Sequence, residues 1–308
     1  MITIYKHNEV GLQTLTEPTP GCWINVIDPS PSEIESLKNL SIPLDYIVYP
    51  LDLDERSRTE RENGDILIII RIPYYQGTTS DIPYTTIPLG IILSQSYFVT
   101  VCKKENEILQ EFASGRVKLL STSKRNRFVL RMLLSTATKY LSFLREITKA
   151  VDILEDKLQL STRNKEVLEL LKYEKSLTYF TTALKSNELM MERLQRSQIF
   201  KTYPDDEDLL EDVLTENQQA IEMTNITTNI LSSTMDAFAS IISNNLNAVM
   251  KFLASITIIL MLPTLITSFF GMNVDLPYMG TYEFWAILIL SVVISFSVGL
   301  YFAKRDWL

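Results

Sequence analysis

Two apolar segments near the C-terminus constrain this chain of 308 residues more than any other feature of its sequence. Residues 252–270 and 284–303 contain no charged residue. Each has about the 20 residues that an α-helix needs to cross a hydrocarbon core of ~30 Å. The sequence therefore predicts a membrane hairpin at 251–308, with a first span at about 252–270, an outer loop at 271–283 and a second span at about 284–303.

The basic residues around this hairpin predict its orientation. Lys251 precedes the first span, Lys304 and Arg305 follow the second, and the loop between the spans contains no Lys or Arg. Basic residues favour the cytoplasmic side, so we expect both termini in the cytoplasm and the loop outside. The N-terminus lacks a signal-peptide or transit pattern, which indicates the inner membrane of a prokaryotic cell.

Composition narrows the chemistry of any partner. The net charge of −8 argues against nucleic acid and fits a cationic partner, although it fits ordinary solubility equally well. His7 is the only histidine, and Cys22 and Cys102 form no Cys-x-x-Cys pair, which disfavours an enzyme and a soft-metal site. Oxygen ligands would bind any metal here, and they favour hard ions such as Mg²⁺.

Before the hairpin, the sequence divides into two parts that fold differently. Residues 1–120 contain short β-rich runs at 1–5, 22–27, 65–72, 85–93 and 97–101, and a helix start at Pro31, which predict a cytoplasmic α/β domain. Residues 121–250 contain no glycine and predict long coiled-coil-like helices, including the stalk of the first span. The fold class is therefore an α+β membrane protein.

Apolar spacing defines the long helices. A coiled-coil-like seam recurs in steps of three and four at Val129, Leu133, Ala137, Tyr140, Leu144, Ile147, Val151, Leu154 and Leu158. Residues 125–199 therefore form one or two helices. Residues 202–208 contain Pro204 and several acidic residues, a pattern typical of a helix start, and nothing interrupts the next helix before Pro263.

One face of that last helix avoids Ile, Leu, Val and aromatic residues across the membrane boundary. We call this face the polar stripe. Its members are Asp236, Ser240, Ser243, Asn247, Met250, Ala254, Thr257, Met261, Thr264 and Ser268. Unpaired hydroxyls are costly in lipid, so the stripe faces either another helix or a water-filled path. Its 3.5-residue repeat favours a path along the axis of a homo-oligomer, because one hairpin cannot enclose a pore.

The polar stripe leads to Gly271-Met272-Asn273, after "SNNLNAVMKFL" at 243–253 and before "KRDWL" at 304–308. Around two C-terminal spans, these motifs resemble the CorA family of magnesium channels. The resemblance covers the organisation of the last two hundred residues, and the first hundred only as an α/β domain. It implies a funnel-shaped homopentamer that carries Mg²⁺ passively into the cytoplasm.

Carried over by position, the resemblance also implies residue roles. Gly271, Met272 and Asn273 form the outer mouth, where Asn273 supplies amide oxygens, Gly271 lets the chain turn sharply and Met272 packs the turn. The pore is lined by Asp236, Ser243, Asn247, Met250, Leu253, Thr257, Met261 and Thr264. Of these, Met250 and Leu253 form a hydrophobic gate that closes by dewetting.

The resemblance further implies that internal Mg²⁺ binds carboxylates between neighbouring cytoplasmic domains and holds the pore shut. Asp212 matches one such carboxylate. The usual partner position is lost here, and Asp52, Asp54 and Glu55 are nearby substitutes. The acidic residues around Asp212 fit a solvated helix start equally well. In the loop, Asp275 or Glu283 would attract cations to the mouth.

Two other functions remain open at this point. The first is transport of another divalent cation, Co²⁺, Ni²⁺ or Zn²⁺, although the zinc-transporting branch usually carries Ile or Val where this chain has Met272. The second is a membrane-anchored coiled-coil scaffold or sensor without transport. A scaffold has no need for polar residues inside the first span, so the polar stripe counts against it.

Overall fold

A computed structural model shows the fold of the chain. It describes residues 1–8, 11–94, 96–117, 121–160, 164–197, 200, 204–272, 281–305 and 307. The chain forms two compact units, Met1–Ser233 and Thr234–Leu308. An N-terminal α/β part, long helices and two C-terminal apolar helices are all present, as predicted. The three-domain division at residues 120 and 250 stays a prediction.

The first unit is built on a seven-stranded mixed sheet. Its strands are β1 (Ile2–Asn8), β2 (Gly11–Leu15), β3 (Trp23–Ile27), β4 (Arg58–Glu62), β5 (Asp65–Tyr75), β6 (Tyr84–Leu93) and β7 (Phe98–Cys102). The spatial order is β2-β1-β3-β7-β6-β5-β4, and only the β3–β7 pair is parallel. The two strands that the sequence did not predict, β2 and β4, are the edges, where polar and charged side chains are tolerated.

Helices make up the rest of the regular structure in the described residues. They are α1 (Pro31–Lys38), α2 (Leu44–Val48), α3 (Glu107–Ala113), α4 (Arg125–Leu160), α5 (Asn164–Arg196), α6 (Pro204–Phe270) and α7 (Thr281–Lys304), with a short 3-10 helix at Tyr49–Leu51. Helix α1 begins as predicted, with a capping box between Ser30 and Glu33.

Strand alternation supplies both hydrophobic cores. Along β5, Leu67 and Ile69 pack with α1 and α2 residues such as Leu37, on one face of the sheet. Ile68, Ile70 and Ile72 point to the other face, into a core shared with α3, α4, α5 and the start of α6. Because successive side chains of a strand point to opposite faces, one continuous apolar run serves both layers.

The predicted seam of the first long helix is confirmed. All nine of its apolar positions, from Val129 to Leu158, are buried. The region 125–199 forms two helices, α4 and α5, rather than one. The seam thus packs α4 against the sheet and its neighbouring helices, which stabilises a helix of 36 residues along most of its length.

The acidic start of α6 is anchored rather than simply solvated. Asp206 is almost fully buried, and its Oδ1 accepts a hydrogen bond of 2.8 Å from Nε of Arg127, near the start of α4. The neighbouring Asp205 accepts a second bond of 3.1 Å from the same guanidinium. The interpretation as a purely solvated helix start is therefore wrong for Asp206, whose side chain is 4% exposed, whereas the Asp205 side chain remains 80% exposed beside the same arginine.

Helices α6 and α7 supply the membrane spans. Within α6 and α7, the segments Asp205–Phe270 and Trp285–Lys304 are long and apolar enough to cross a membrane. Helix α6 continues through Pro263 for 67 residues, as its sequence predicted, and extends from the first unit through the second. Residues 252–270 of α6 and all of α7 lie in the second unit.

A glycine fixes the position of the 3-10 helix against the sheet. Pro50 lies directly over Gly90 of β6, where an added Cβ would stand 2.1 Å from Cγ of Pro50. Only a residue without a side chain permits this approach. Asp52, Asp54 and Glu55 follow Pro50 closely in the chain. The contact between Pro50 and Gly90 therefore fixes the start of the segment that carries these carboxylates.

Gly90→Ala should destabilise the fold by about 1–3 kcal/mol, because the new methyl group overlaps the Pro50 ring and the two backbones must separate. Chemical denaturation of the whole chain in detergent measures the loss. Thr85→Ala, on the same strand, is the control and should change stability by less than about 0.5 kcal/mol. Equal stability of Gly90→Ala and wild type would show that the ring moves aside freely.

Candidate functional site

The polar stripe is exposed along its whole length in the single chain. All ten positions from Asp236 to Ser268 are classed as exposed. Met250 is 59% exposed and Met261 is 64% exposed, values far from those of core methionines. Leu253, the other predicted gate residue, is 57% exposed. Within the described part of the chain, no intramolecular packing therefore accounts for this face of α6.

Helix α7 contacts a different face of α6. Ser255 is buried, and its Oγ lies 3.4 Å from the carbonyl oxygen of Trp307, beyond the end of α7. Further along, Cδ1 of Ile259 would lie 3.7 Å from a Cβ built on Gly299. The seam between the two helices thus runs through positions 255 and 259. Among the described residues of one chain, the polar stripe therefore does not form the contact between α6 and α7.

Hydroxyl groups on the stripe keep their acceptor capacity free. Thr257 Oγ1 donates to the carbonyl of Leu253 at 2.8 Å, and Thr264 Oγ1 donates to Leu260 at 3.1 Å. A hydroxyl that donates its hydrogen to its own helix still has oxygen lone pairs. Such a surface can accept hydrogen bonds from water, including the waters around a hydrated cation.

The described part of the predicted mouth consists of Gly271 and Met272. The amide of Gly271 donates to the carbonyl of Thr267 at 2.9 Å, which extends the helical pattern by one residue. A Cβ on Gly271 would meet that carbonyl oxygen at 3.3 Å, a close contact, and Gly271 does not have a positive φ. Met272 is 55% exposed in the single chain. Its expected packing in the turn stays a prediction, because residues 273–280 lie outside the described residues.

The other predicted residues near the mouth are not described in full. Asn273 and Asp275 lie outside the described residues. Glu283 lies in the first turn of α7, but its side chain is among those that the structure leaves out.

The four predicted regulatory carboxylates differ in their surroundings. Asp212 is exposed on α6, and Asp52 and Asp54 are exposed on the acidic loop, which we define as residues 52–55. The Glu55 carboxylate pairs with the guanidinium of Arg58. Among the described residues, no three His, Cys, Asp or Glu side chains converge on a point where a metal ion could bind. One chain alone therefore brings no complete metal site together from them.

The Arg71 side chain binds main-chain carbonyls of the acidic loop. Its NH1 donates to the carbonyls of Leu53 at 3.0 Å and Glu55 at 2.7 Å. The rest of the guanidinium is fixed on β6 by bonds of 3.0 and 2.8 Å to Oγ1 and the carbonyl of Thr86. Arg71 of β5 therefore links the acidic loop to the neighbouring strand β6.

A buried asparagine connects this arrangement to α5. Asn187 Nδ2 donates to the carbonyl of Arg71 at 2.8 Å, and its Oδ1 accepts from the Arg71 amide at 3.0 Å. The same oxygen accepts from Ser57 Oγ at 2.6 Å, just after the loop. Sequence analysis missed both residues, although Arg71 is the one charged residue inside the apolar run of β5.

The two cysteines have no accessible chemistry. Cys22 and Cys102 are both fully buried and free of disulfides. Burial raises the pKa of the Cys102 thiol to about 11 and also raises the pKa of Cys22. Since the thiolate is the reactive form, both thiols should be inert in the folded chain.

Comparison with known proteins gives consistent matches over nearly the whole chain. A family model described as CorA-like Mg²⁺ transporter protein matches residues 20–305. The Cobalt/magnesium transport protein CorA of Methanocaldococcus jannaschii is 30% identical over 299 residues, covering 93% of this chain and 91% of that protein. The complete structure of the CorA magnesium transporter from the same organism has a TM-score of 0.86 at 25% identity, covering 100% of this chain and 99% of that one.

More distant structures share the fold alone. Full-length CmaX has a TM-score of 0.72 at 14% identity and covers 96% of this chain and 97% of its own. The cytoplasmic domain of ZntB from Vibrio parahaemolyticus has a TM-score of 0.60 at 10% identity, covering 79% of this chain and 98% of that domain.

Cysteine labelling can decide whether the polar stripe faces water. Met261 and Leu260 are adjacent and almost equally exposed in the single chain, at 64% and 66%. Met261→Cys should react with a membrane-impermeant thiol reagent at least about tenfold faster than Leu260→Cys, because only a thiol in water ionises readily.

The wild-type chain serves as the background for this comparison, since its own cysteines should not react until it unfolds. Rates are measured by mass spectrometry after timed labelling in proteoliposomes. Equal rates at positions 260 and 261 would show that the stripe is not a distinct aqueous face.

Proposed function

Because this chain belongs to the family of CorA-like Mg²⁺ transporter proteins, which carry divalent cations, we propose that it is a passive, channel-type transporter of Mg²⁺ into the cytoplasm. It acts as a transporter and not as an enzyme. The ion moves along the polar stripe of several copies of α6. Transport across a prokaryotic inner membrane, with both termini in the cytoplasm, fits the basic residues that flank the two spans.

The observation that carries this proposal is the exposed polar stripe. A membrane helix that met only lipid would not maintain polar, small or methionine residues at successive positions of one face. Within the first span, these are Ala254, Thr257, Met261, Thr264 and Ser268. Since α7 contacts a different face of α6, the stripe is available for other copies of the chain or for water. A closed ring of identical chains places this face against neighbouring copies and beside a central path of water. The family resemblance favours a ring of five chains in a lipid bilayer.

The chemistry of the stripe and of the mouth suits a hydrated Mg²⁺. This ion releases its water reluctantly and usually keeps several ligands from its hydration shell. Neutral oxygens from the Asn273 amides at the mouth, and from Asn247 and Thr257 below it, can accept hydrogen bonds from those waters. Such sites bind weakly enough for the ion to leave, which conduction requires.

Met250 and Leu253 are the proposed gate. Both side chains are apolar and exposed in the single chain, on the part of α6 just before and inside the first span. A ring of such side chains closes a pore by excluding water, without a plug.

Membrane potential supplies the driving force. An inside-negative potential of 100 mV is worth about 4.6 kcal/mol for a doubly charged ion. The sequence contains no G-x-x-x-x-G-K-[ST] nucleotide-binding loop, which is consistent with transport that needs no ATP.

Closure by internal Mg²⁺ is the proposed regulation. Asp212 of one chain and Asp52 and Asp54 of its neighbour would together supply the carboxylates that a single chain does not bring together. Glu55 is the weaker candidate, because its carboxylate already pairs with Arg58. When Mg²⁺ is low, uncompensated carboxylates repel each other, which favours separation of the chains and opening of the pore.

Co²⁺ is the second candidate for the transported ion, since the relative from Methanocaldococcus jannaschii is called a cobalt/magnesium transport protein. The oxygen-rich stripe suits Mg²⁺ better than a soft metal, but hydrated Co²⁺ presents a similar shell of waters. Uptake assays with both ions distinguish the two.

Asn273→Ala should reduce Mg²⁺ uptake into proteoliposomes by at least about tenfold under an inside-negative potential, because the mouth loses its ring of amide oxygens. A magnesium-sensitive dye inside the vesicles measures the rate. Tyr282→Phe, which removes a hydroxyl from a 91% exposed side chain at the start of α7, should transport normally. Full uptake by Asn273→Ala would remove the assigned role of this amide, and no uptake by an assembled wild type would favour the scaffold.

Asp212→Asn should weaken inhibition by internal Mg²⁺ by about threefold or more, since each regulatory site loses one carboxylate ligand. The measurement is the uptake rate of vesicles preloaded with increasing Mg²⁺. Glu211→Gln removes the neighbouring exposed carboxylate and should leave the inhibition curve in place. If the two variants give the same curve, Asp212 has no specific part in closure.

A further inference from the structure

Ser295 of α7 has an unusual hydroxyl. Its Oγ is buried, and among the described residues it has no hydrogen-bond partner. The residue lies one turn after Ser291 and one turn before Gly299, on the side of α7 that meets α6. A buried hydroxyl without a partner is costly, and more so in a span that lipid surrounds.

Other hydroxyls of the two spans solve this problem locally. On α7, Ser291 donates to the carbonyl of Leu288 at 2.9 Å and Ser297 donates to Val293 at 2.7 Å. On α6, Thr257, Thr264 and Thr267 likewise donate to carbonyls of their own helix. Ser295 makes no such bond, so its donor remains available to a group outside α7.

A complementary acceptor is expected on the facing helix. Pro263 lies inside α6 and has no amide hydrogen, so it cannot donate to the carbonyl of Ile259, four residues earlier. Ile259, Pro263 and Ser295 line the same cavity, of about 430 Å³, together with Val292, Phe296, Gly299 and Leu300. Ser295, whose hydroxyl has no partner among the described residues, and Ile259, whose carbonyl lacks its helical donor, thus line the same groove between the two helices.

We propose that Ser295 is a positioning residue for the pore helix and donates its hydrogen bond to the carbonyl of Ile259. Among the described residues of the single chain the Ser295 hydroxyl has no partner, so this bond requires a bend of α6 at Pro263 that brings the Ile259 carbonyl closer. Once formed, the bond stabilises the bend. The last turn of the pore helix and the mouth follow Pro263 in the chain, so the bond sets their tilt. The effect on transport rests on the proposed function, whereas the hydrogen bond itself does not.

A double-mutant cycle between positions 295 and 263 tests this proposal. Ser295→Ala removes the hydroxyl donor. Pro263→Ala introduces an amide hydrogen at position 263, which can donate to the carbonyl of Ile259. Ser297→Ala is the matched control on the lipid-exposed side of the same helix. Ser295→Thr retains the hydroxyl and separates hydrogen bonding from packing. Each variant is measured twice, by its melting midpoint in detergent and by its Mg²⁺ uptake rate in proteoliposomes.

Ser295→Ala should lower the melting midpoint by about 2 °C relative to Ser297→Ala and change uptake by about threefold, the size expected for one interhelical bond in a membrane. Ser295→Thr should resemble wild type. In the Pro263→Ala background, Ser295→Ala should have no further effect on either measurement, because the carbonyl already has its donor.

Two results would overturn the inference. One is an equal effect of Ser295→Ala with and without Pro263, which would mean that the hydroxyl acts elsewhere. The other is no difference between Ser295→Ala and Ser297→Ala. If wild type fails to transport, the proposed function fails, but the melting cycle still decides whether this hydrogen bond exists.

Discussion

A hydrocarbon core cannot hydrogen-bond to the protein, and this constraint governs the C-terminal part of the chain. Inside lipid, backbone amides and carbonyls must find partners within the segment, which leaves helices as the solution for a hairpin. Serine and threonine hydroxyls follow the same rule when they donate to carbonyls of their own helix. Pro263 and Ser295 are departures from that rule, and they lie together at the boundary between the two helices.

The same constraint divides the surface of the first span into functional faces. Ser255 and Ile259 meet the second span, and neighbouring aliphatic residues such as Leu260 are compatible with lipid. The polar stripe fits neither environment and therefore requires water or other copies of the chain. A single helix thus satisfies three surroundings at once, which explains why its sequence alternates between very apolar and polar positions.

Where the sequence predicted structure well, the signal extended over many residues. The α4 seam repeats over nine positions, α6 lies within a long stretch without glycine, and β3, β5, β6 and β7 are largely continuous buried runs. The strands β2 and β4 carried no such pattern, because edge strands need not be buried on both faces. On the candidate pathway, the exposed stripe was predictable from spacing, whereas the close approach of Gly271 to the carbonyl oxygen of Thr267 was not, since it depends on the path of the backbone.

Contacts between residues distant in sequence were out of reach for another reason. Arg127 with Asp206, Arg71 with Asn187 and Gly90 with Pro50 are pairs in which the sequence does not indicate which residue each member contacts. Each depends on the final packing of elements, and only the three-dimensional fold brings its members together. The first pair changed the interpretation of an acidic cluster, and the second connected the acidic loop to a helix.

The way in which Arg71 holds the acidic loop has an evolutionary consequence. The arginine binds the main-chain carbonyls of Leu53 and Glu55, and these oxygens are present whatever side chains the loop carries. Mutation can therefore add, remove or exchange carboxylates in the loop without loosening its attachment to the sheet. Under the proposed closure by internal Mg²⁺, sensitivity to that ion could change by mutation of this loop while the scaffold beneath it stays unchanged.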